Sequence, residues 1–136
     1  MMDDPCRYKV VMFSAKWTAN VTEPNGDSVA PSEASKDAGQ TWAMVDYIYA
    51  YDEVVGINTQ LCTRLDHANV WHCEGTYTDP FGCEGQISYA GPFSDEVFEG
   101  KYTITGGTGV FDGVTGHILD QYSEHTGQSY LTATIN

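Results

Sequence analysis

Arg64 and Cys62 stand two residues apart in "VVGINTQLCTRLD", Val54 to Asp66, a run whose side chains alternate in character. Alternation puts Asn58, Gln60, Cys62 and Arg64 on one side, and Val55, Ile57, Thr59, Leu61, Thr63 and Leu65 on the other. If the first side turns inward, Arg64 requires a carboxylate partner or an anionic ligand; Asp46 and Glu74 are the candidate partners. At a solvated rim it requires neither. A cysteine becomes a nucleophile beside a base, but none of His67, His72, His117 or His125 stands at a recognisable spacing from Cys62. "HCE…PFGC", His72 to Cys83, partly imitates the zinc-deaminase pattern and lacks its second cysteine. Cys6, Cys62, Cys73 and Cys83 form no C-x-x-C pair, so no metal site is expected. In a reducing compartment the four are expected to be free thiols, packed as small apolar groups.

The glycine-rich stretch "KYTITGGTGVFDGVTGHI", Lys101 to Ile118, offers a second possible chemistry, the cradling of phosphate. That use needs a helix after the glycines and a Walker Lys-Ser/Thr, and neither is present. A linker would not carry Ile104, Val110, Phe111 and Val114. What remains is a sharply bent strand pair, with Gly106, Gly107 and Gly109 turning the chain and Phe111 plugging the corner.

The elements that must position these residues are strands. "YKVVMFSAKWTANV" is strand-like, and Thr22 to Gln40 reads as a long surface loop with one helical turn near Ser32 to Asp37, a lid or a disordered segment. Seven more strand-like segments follow: "TWAMVDYIYA", "VVGINTQLCTRLD", "VWHCEGTYTD", "CEGQISYAGPF", "KYTITGG", "VTGHILDQYSEH" and "SYLTATIN". Their short, even spacing with turn residues between them is the pattern of a sandwich or an up-and-down barrel, and no amphipathic helix interrupts it. In "TWAMVDYIYA", Val45, Tyr47 and Tyr49 face opposite to Trp42, Met44, Asp46 and Ile48. In a soluble monomer the mixed-polar face looks outward; a wet cavity or a buried outer wall reverses the order.

The chain has 136 residues, 41% hydrophobic and 12% aromatic, which predicts one domain over residues 1–136 with a single core. Its net charge of −13, with six Lys plus Arg, excludes nucleic acid and anionic membrane surfaces as partners. The start "MMDDPCRYKVVMF" does not read as a signal peptide, so the cytoplasm is the expected location.

"ITGGTGVFDGVTGHI" resembles the glycine signature of the allene oxide cyclase and dirigent barrel superfamily. "VVGINTQLC" resembles the V-G-I-T-x-G-L-C strand of its cyclase branch, and "CEGTYTDPFGCEGQISYAGPF" resembles its G-x-L-S-x-x-G-P-aromatic hairpin. The resemblance covers roughly Thr41 to Ile118. It implies an all-β, eight-stranded antiparallel, calycin-type barrel with an internal apolar cavity, in a homo-oligomer, dimer or trimer. It also implies that Asn58, Gln60, Cys62 and Arg64 face inward. Family cavity positions fall on Trp42, Cys62, Cys73 and Phe93, while Met44 replaces a water-holding asparagine and the first-strand glutamate has no counterpart in "KVVMFSAKW".

The function so implied is a cofactor-independent cyclase or isomerase that folds an apolar, polyketide- or terpenoid-like intermediate into a reactive shape. The expected catalytic residues are Arg64, Tyr77 and Cys62; the expected substrate-binding residues are Trp42, Met44, Asn58, Gln60, Cys73, Tyr89 and Phe93. The alternative is a dirigent-like or carrier protein that binds an apolar ligand without acid–base catalysis. An interior ionisable group with a perturbed pKa distinguishes the two. A solid interior, with no pocket reaching ~300 Å3, would point instead to a structural oligomer.

Overall fold

The computed structural model describes residues 6, 9–16, 18–65 and 69–136. The strands are β1 (Val10–Lys16), β2 (Ala19–Thr22), β3 (Ser28–Val29), β4 (Thr41–Ala50), β5 (Glu53–Arg64), β6 (Val70–Thr78), β7 (Gly85–Ser94), β8 (Glu99–Gly109), β9 (Gly116–Ser123) and β10 (Gln128–Ile135). They form one antiparallel sheet in the order β1-β10-β9-β8-β7-β6-β5-β4-β2-β3. Pairing of Ser14 with Tyr49 and of Ala15 with Ile48 joins β1 to β4 and closes the sheet into an eight-stranded barrel. The segment read as one strand up to Val21 is two: β1 closes the barrel, and β2 continues along β4 from Ala19–Met44 to Thr22–Thr41.

Turn chemistry explains the meander. Tyr51 and Asp52 both take positive φ (52° and 64°), the condition of the two-residue hairpin turn whose twist suits paired strands. The glycine run works differently from the expectation. Gly106 and Gly107 lie inside β8, opposite Ser88 and Ile87, and do not turn the chain. Gly109, at φ 62°, begins the turn; a Cβ on Gly107 would collide with the backbone and Cβ of Phe111, which folds back over it and is buried. Phe111 is therefore the plug, and Gly107 supplies the space for it.

The inward faces follow the alternation. Met44, Asp46 and Ile48 on β4 and Asn58, Gln60, Cys62 and Arg64 on β5 are buried, whereas Val45, Tyr47, Ile57 and Leu61 are exposed. The mixed-polar face is thus the interior face, and the more apolar face is the outer wall. At one end the interior is packed by Phe13, whose ring meets Tyr77 at 5.2 Å and Phe81 at 5.4 Å. Tyr77 stacks on Tyr89 at 4.7 Å, and Tyr89 lies 5.2 Å from Tyr102. These rings fill the lumen up to mid-height. A cavity of about 230 Å3 opens at the opposite end. It falls short of the ~300 Å3 expected of a ligand barrel, the measure that points to a structural oligomer, but at more than the ~150 Å3 that holds benzene the interior is not solid.

The cysteines are not free thiols. Cys6 bonds to Cys83, and Cys62 bonds to Cys73 across the β5–β6 pair, where the two residues are direct register partners. The free-thiol expectation rested on an assumed compartment; strand register brings the second pair together regardless.

Candidate active site at the open end of the barrel

The cavity forms where β5 ends, β6 begins and the β7–β8 turn crosses the mouth. Its wall is Trp42, Cys62, Arg64, Trp71, Phe93, Asp95, Phe98 and Tyr122. Alternation along β5 places Cys62 and Arg64 there, and the register pairs Arg64 with Trp71 and Trp71 with Phe93. The Arg64 guanidinium lies 4.0 Å above the Trp71 ring, a cation–π contact, and Trp42 meets Trp71 edge-on at 5.5 Å.

Arg64 is 4% exposed. Its carboxylate partner is Asp95, with Nη1 to Oδ2 at 3.7 Å, and neither of the two expected partners. Asp46 instead accepts hydrogen bonds from the Thr18 amide (3.0 Å) and hydroxyl (2.7 Å), and Glu74 is exposed on the outer wall. Asp95 Oδ2 also accepts from the Trp71 indole N–H at 3.2 Å. The ion pair is too long for a hydrogen bond. Arg64 Nε and Nη1 and Asp95 Oδ1 are buried without a hydrogen-bond partner.

The long connection between β2 and β4 reaches this end. It holds β3 and a single 3-10 turn at Pro31–Glu33. Its anchor is Gln40, fully buried, whose side-chain amide donates to Glu23 and to the Ser35 carbonyl and whose Oε1 accepts from the Trp42 indole at 2.7 Å. The Gly39 amide donates to the Arg64 carbonyl and the Arg64 amide to the Gln40 carbonyl. The connection therefore fixes two cavity residues, Trp42 through its side chain and Arg64 through its backbone.

Beneath the cavity runs a buried polar chain. Tyr102 donates to Asp120 Oδ2 at 2.9 Å, Gln60 donates to the Tyr102 hydroxyl at 3.4 Å, Asn58 donates to Gln60 Oε1 at 3.4 Å, and Tyr89 donates to Asn58 at 2.5 Å. Asp120 lies two residues before Tyr122 on the inward side of β9 and is buried, with Oδ1 unpartnered. Burial pushes its pKa up to about 6, against the opposing hydrogen bonds from Ser129 and Tyr102. Burial is also the largest cause raising the hydroxyls of Tyr77, Tyr89 and Tyr102, so these remain protonated. Asp46, inward-facing on β4, is likewise raised by burial, so the interior holds two carboxyls displaced towards the protonated form.

The expected site residues therefore separate into two groups. Trp42, Cys62, Arg64 and Phe93 line the cavity, Cys62 as half of a disulfide and so without a thiolate to attack. Cys73 is buried beside Cys62 as the other half of its disulfide, Met44, Asn58, Gln60 and Tyr89 are buried without lining the cavity, and Tyr77 packs against Phe13. His67, weighed as a base for Cys62, is outside the described residues; His72, His117 and His125 are exposed. Sequence reasoning missed Trp71, Asp95, Phe98, Tyr102, Asp120 and Tyr122. Trp71 shares the inward side with Cys73, and Asp120 and Tyr122 share it with Ile118, so alternation could have found these three. Asp95 and Phe98 sit in the β7–β8 turn, for which alternation gives no signal; Phe98 takes φ 54° there.

No protein-family model matches the chain. Among solved structures it is similar to a pyocyanin demethylase, with a TM-score of 0.73 at 16% identity over 93% of this chain and 99% of that one. Two pterocarpan synthase dirigent proteins superpose with TM-scores of 0.68 and 0.64, at 20% and 18% identity, over 93% of this chain and 91% and 86% of theirs. The fold is a dirigent-like barrel. Identities this low carry the architecture alone, and these neighbours do not single out the allene oxide cyclase branch.

Proposed function

We propose that this dirigent-like barrel binds a small apolar or aromatic intermediate in its end cavity and rearranges it there as a cofactor-independent cyclase or isomerase. The observation that carries the reading is a cavity of about 230 Å3, walled by Trp42, Trp71, Phe93, Phe98 and Tyr122 around a buried arginine with unused donors. Enclosure by rings restricts the guest's conformations and so removes part of the entropic barrier to rearrangement. Arg64 polarises an oxygen of the guest. Asp120 lies below the floor and does not border the cavity, so it takes a proton from one position of the guest through an intervening water and returns it to another by the same route, and no atoms are lost or gained. Names of structural neighbours, a demethylase and two synthases, agree with small-molecule chemistry on this architecture.

A binding-only, dirigent-like role is the second reading. It is favoured by the position of Asp120, which does not itself border the cavity. Thermal-shift screening of small aromatic compounds against the wild type and Phe93→Trp tests binding, because the larger ring fills the cavity. Compounds that stabilise the wild type alone are expected; if none discriminates the two proteins, the cavity is not a ligand site. For a compound that is converted, Asp120→Asn should lower turnover about 100-fold or more with binding kept. Unchanged turnover removes Asp120 from the mechanism.

We also infer a homo-oligomer assembled through the apolar outer wall of β4 and β5. The two disulfides support an oxidising compartment rather than the cytoplasm as its place of work.

A further inference from the structure

We propose that the cavity selects neutral aromatic compounds carrying a carbonyl and a hydroxyl a few ångströms apart, the carbonyl read by Arg64 and the hydroxyl by Asp95. This rests on the reading of the cavity as a ligand site and names what that ligand must present. Three buried atoms lack a hydrogen-bond partner: Arg64 Nε, Arg64 Nη1 and Asp95 Oδ1. Two are donors and one is an acceptor. A buried polar group left unpaired costs free energy, so a guest that satisfies all three gains more than one that satisfies the donors alone.

The spacing is set by the ion pair itself. Arg64 Nη1 stands 3.7 Å from Asp95 Oδ2, and Oδ1 belongs to the same carboxylate, so the matching oxygens of the guest must also be close neighbours. The charge is set by the same pair. Guanidinium and carboxylate offset one another, and the chain carries −13 overall, so a carboxylate guest would meet Asp95 and a repulsive field. A neutral guest meets neither. Trp71 fixes both members, lying under the guanidinium at 4.0 Å and donating to Asp95 Oδ2 at 3.2 Å. That hydrogen bond directs Oδ1, and not Oδ2, to be the free acceptor. The remaining wall is aromatic and accepts a ring, and the volume admits one substituted ring with room beyond what benzene needs.

The test is a ligand series read by quenching of the cavity tryptophans and by calorimetry on the intact, disulfide-bonded protein. Phenacyl alcohol presents carbonyl, hydroxyl and ring; acetophenone lacks the hydroxyl, ethylbenzene lacks both oxygens, and benzoate carries the charge. Phenacyl alcohol is expected to bind about 5–10-fold more tightly than acetophenone and about 25–100-fold more tightly than ethylbenzene, with benzoate weaker than acetophenone. In Asp95→Asn the side-chain carbonyl keeps the Trp71 N–H and turns its NH2 towards the guest. The preference for phenacyl alcohol over acetophenone should then vanish or invert while ethylbenzene binding stays the same. Equal binding of ethylbenzene and phenacyl alcohol overturns the polar selection but leaves the cavity as a ligand site. Benzoate binding best overturns the neutral class in the same way. If no compound binds, the ligand-site reading itself falls, and this inference with it.

Discussion

Asp120 is the residue at which stability and chemistry oppose each other. Its carboxyl is buried, and its pKa is raised from 3.8 to about 6. A raised carboxyl pKa means that folding favours the protonated form. This contribution is fully present below the unfolded pKa and is lost as pH rises through about 6. The preference for the protonated form is worth roughly 3 kcal/mol. Asp120→Asn cannot lose that proton, so denaturation midpoints should show the wild type declining relative to the variant between about pH 4 and pH 6. Repulsion among the other carboxylates acts on both proteins and cancels in the comparison. Parallel pH profiles would mean that Asp120 is hydrated or better paired than its surroundings indicate.

At the scale of elements, β8 shows what a glycine run does inside a sheet. Neither Gly106 nor Gly107 has positive φ, but their surroundings differ: a Cβ on Gly107 strikes Phe111, whereas one on Gly106 meets nothing within 4 Å. Gly107→Val should cost about 2–4 kcal/mol in chemical denaturation, and Gly106→Val less than about 1 kcal/mol. Equal costs would remove the account of Phe111 as a plug seated on Gly107. The sequence marked this stretch as a bend and Phe111 as its plug. It did not separate the glycine that turns, Gly109, from the one that yields space, because both needs select the same residue type. The connection from β2 to β4 was equally ambiguous. Its polar, proline- and glycine-containing composition fits a lid or a disordered segment, whereas the buried Gln40 amide ties it to Trp42 and to the end of β5.

For the whole molecule, the reversed faces matter most. Val45 (66% exposed), Tyr47 (57%) and Leu61 (40%) lie on the outer side of β4 and β5, where Val45 and Leu61 border an outer groove with Thr59 and Thr76, and Leu65 (57%) is exposed just past the end of β5. Clustered apolar exposure of this kind marks an interface. Light scattering should find a dimer or trimer, and Leu61→Glu should dissociate it with the barrel intact by circular dichroism. A wild type that stays monomeric at high concentration ends the homo-oligomer proposal.

Alternation with period two and turn residues at short intervals were enough to determine that the chain is all-β and which side chains share a face. Both are local properties of a strand, and the inward set on β5 follows from them once one face is fixed. Three features needed the closed barrel. Strand register made Cys62 and Cys73 opposite partners, the β7–β8 turn delivered Asp95 to Arg64 across 31 residues of chain, and tyrosine packing confined the hollow to one end. Each depends on groups distant in sequence meeting in space, and the period of a single strand carries no information about that.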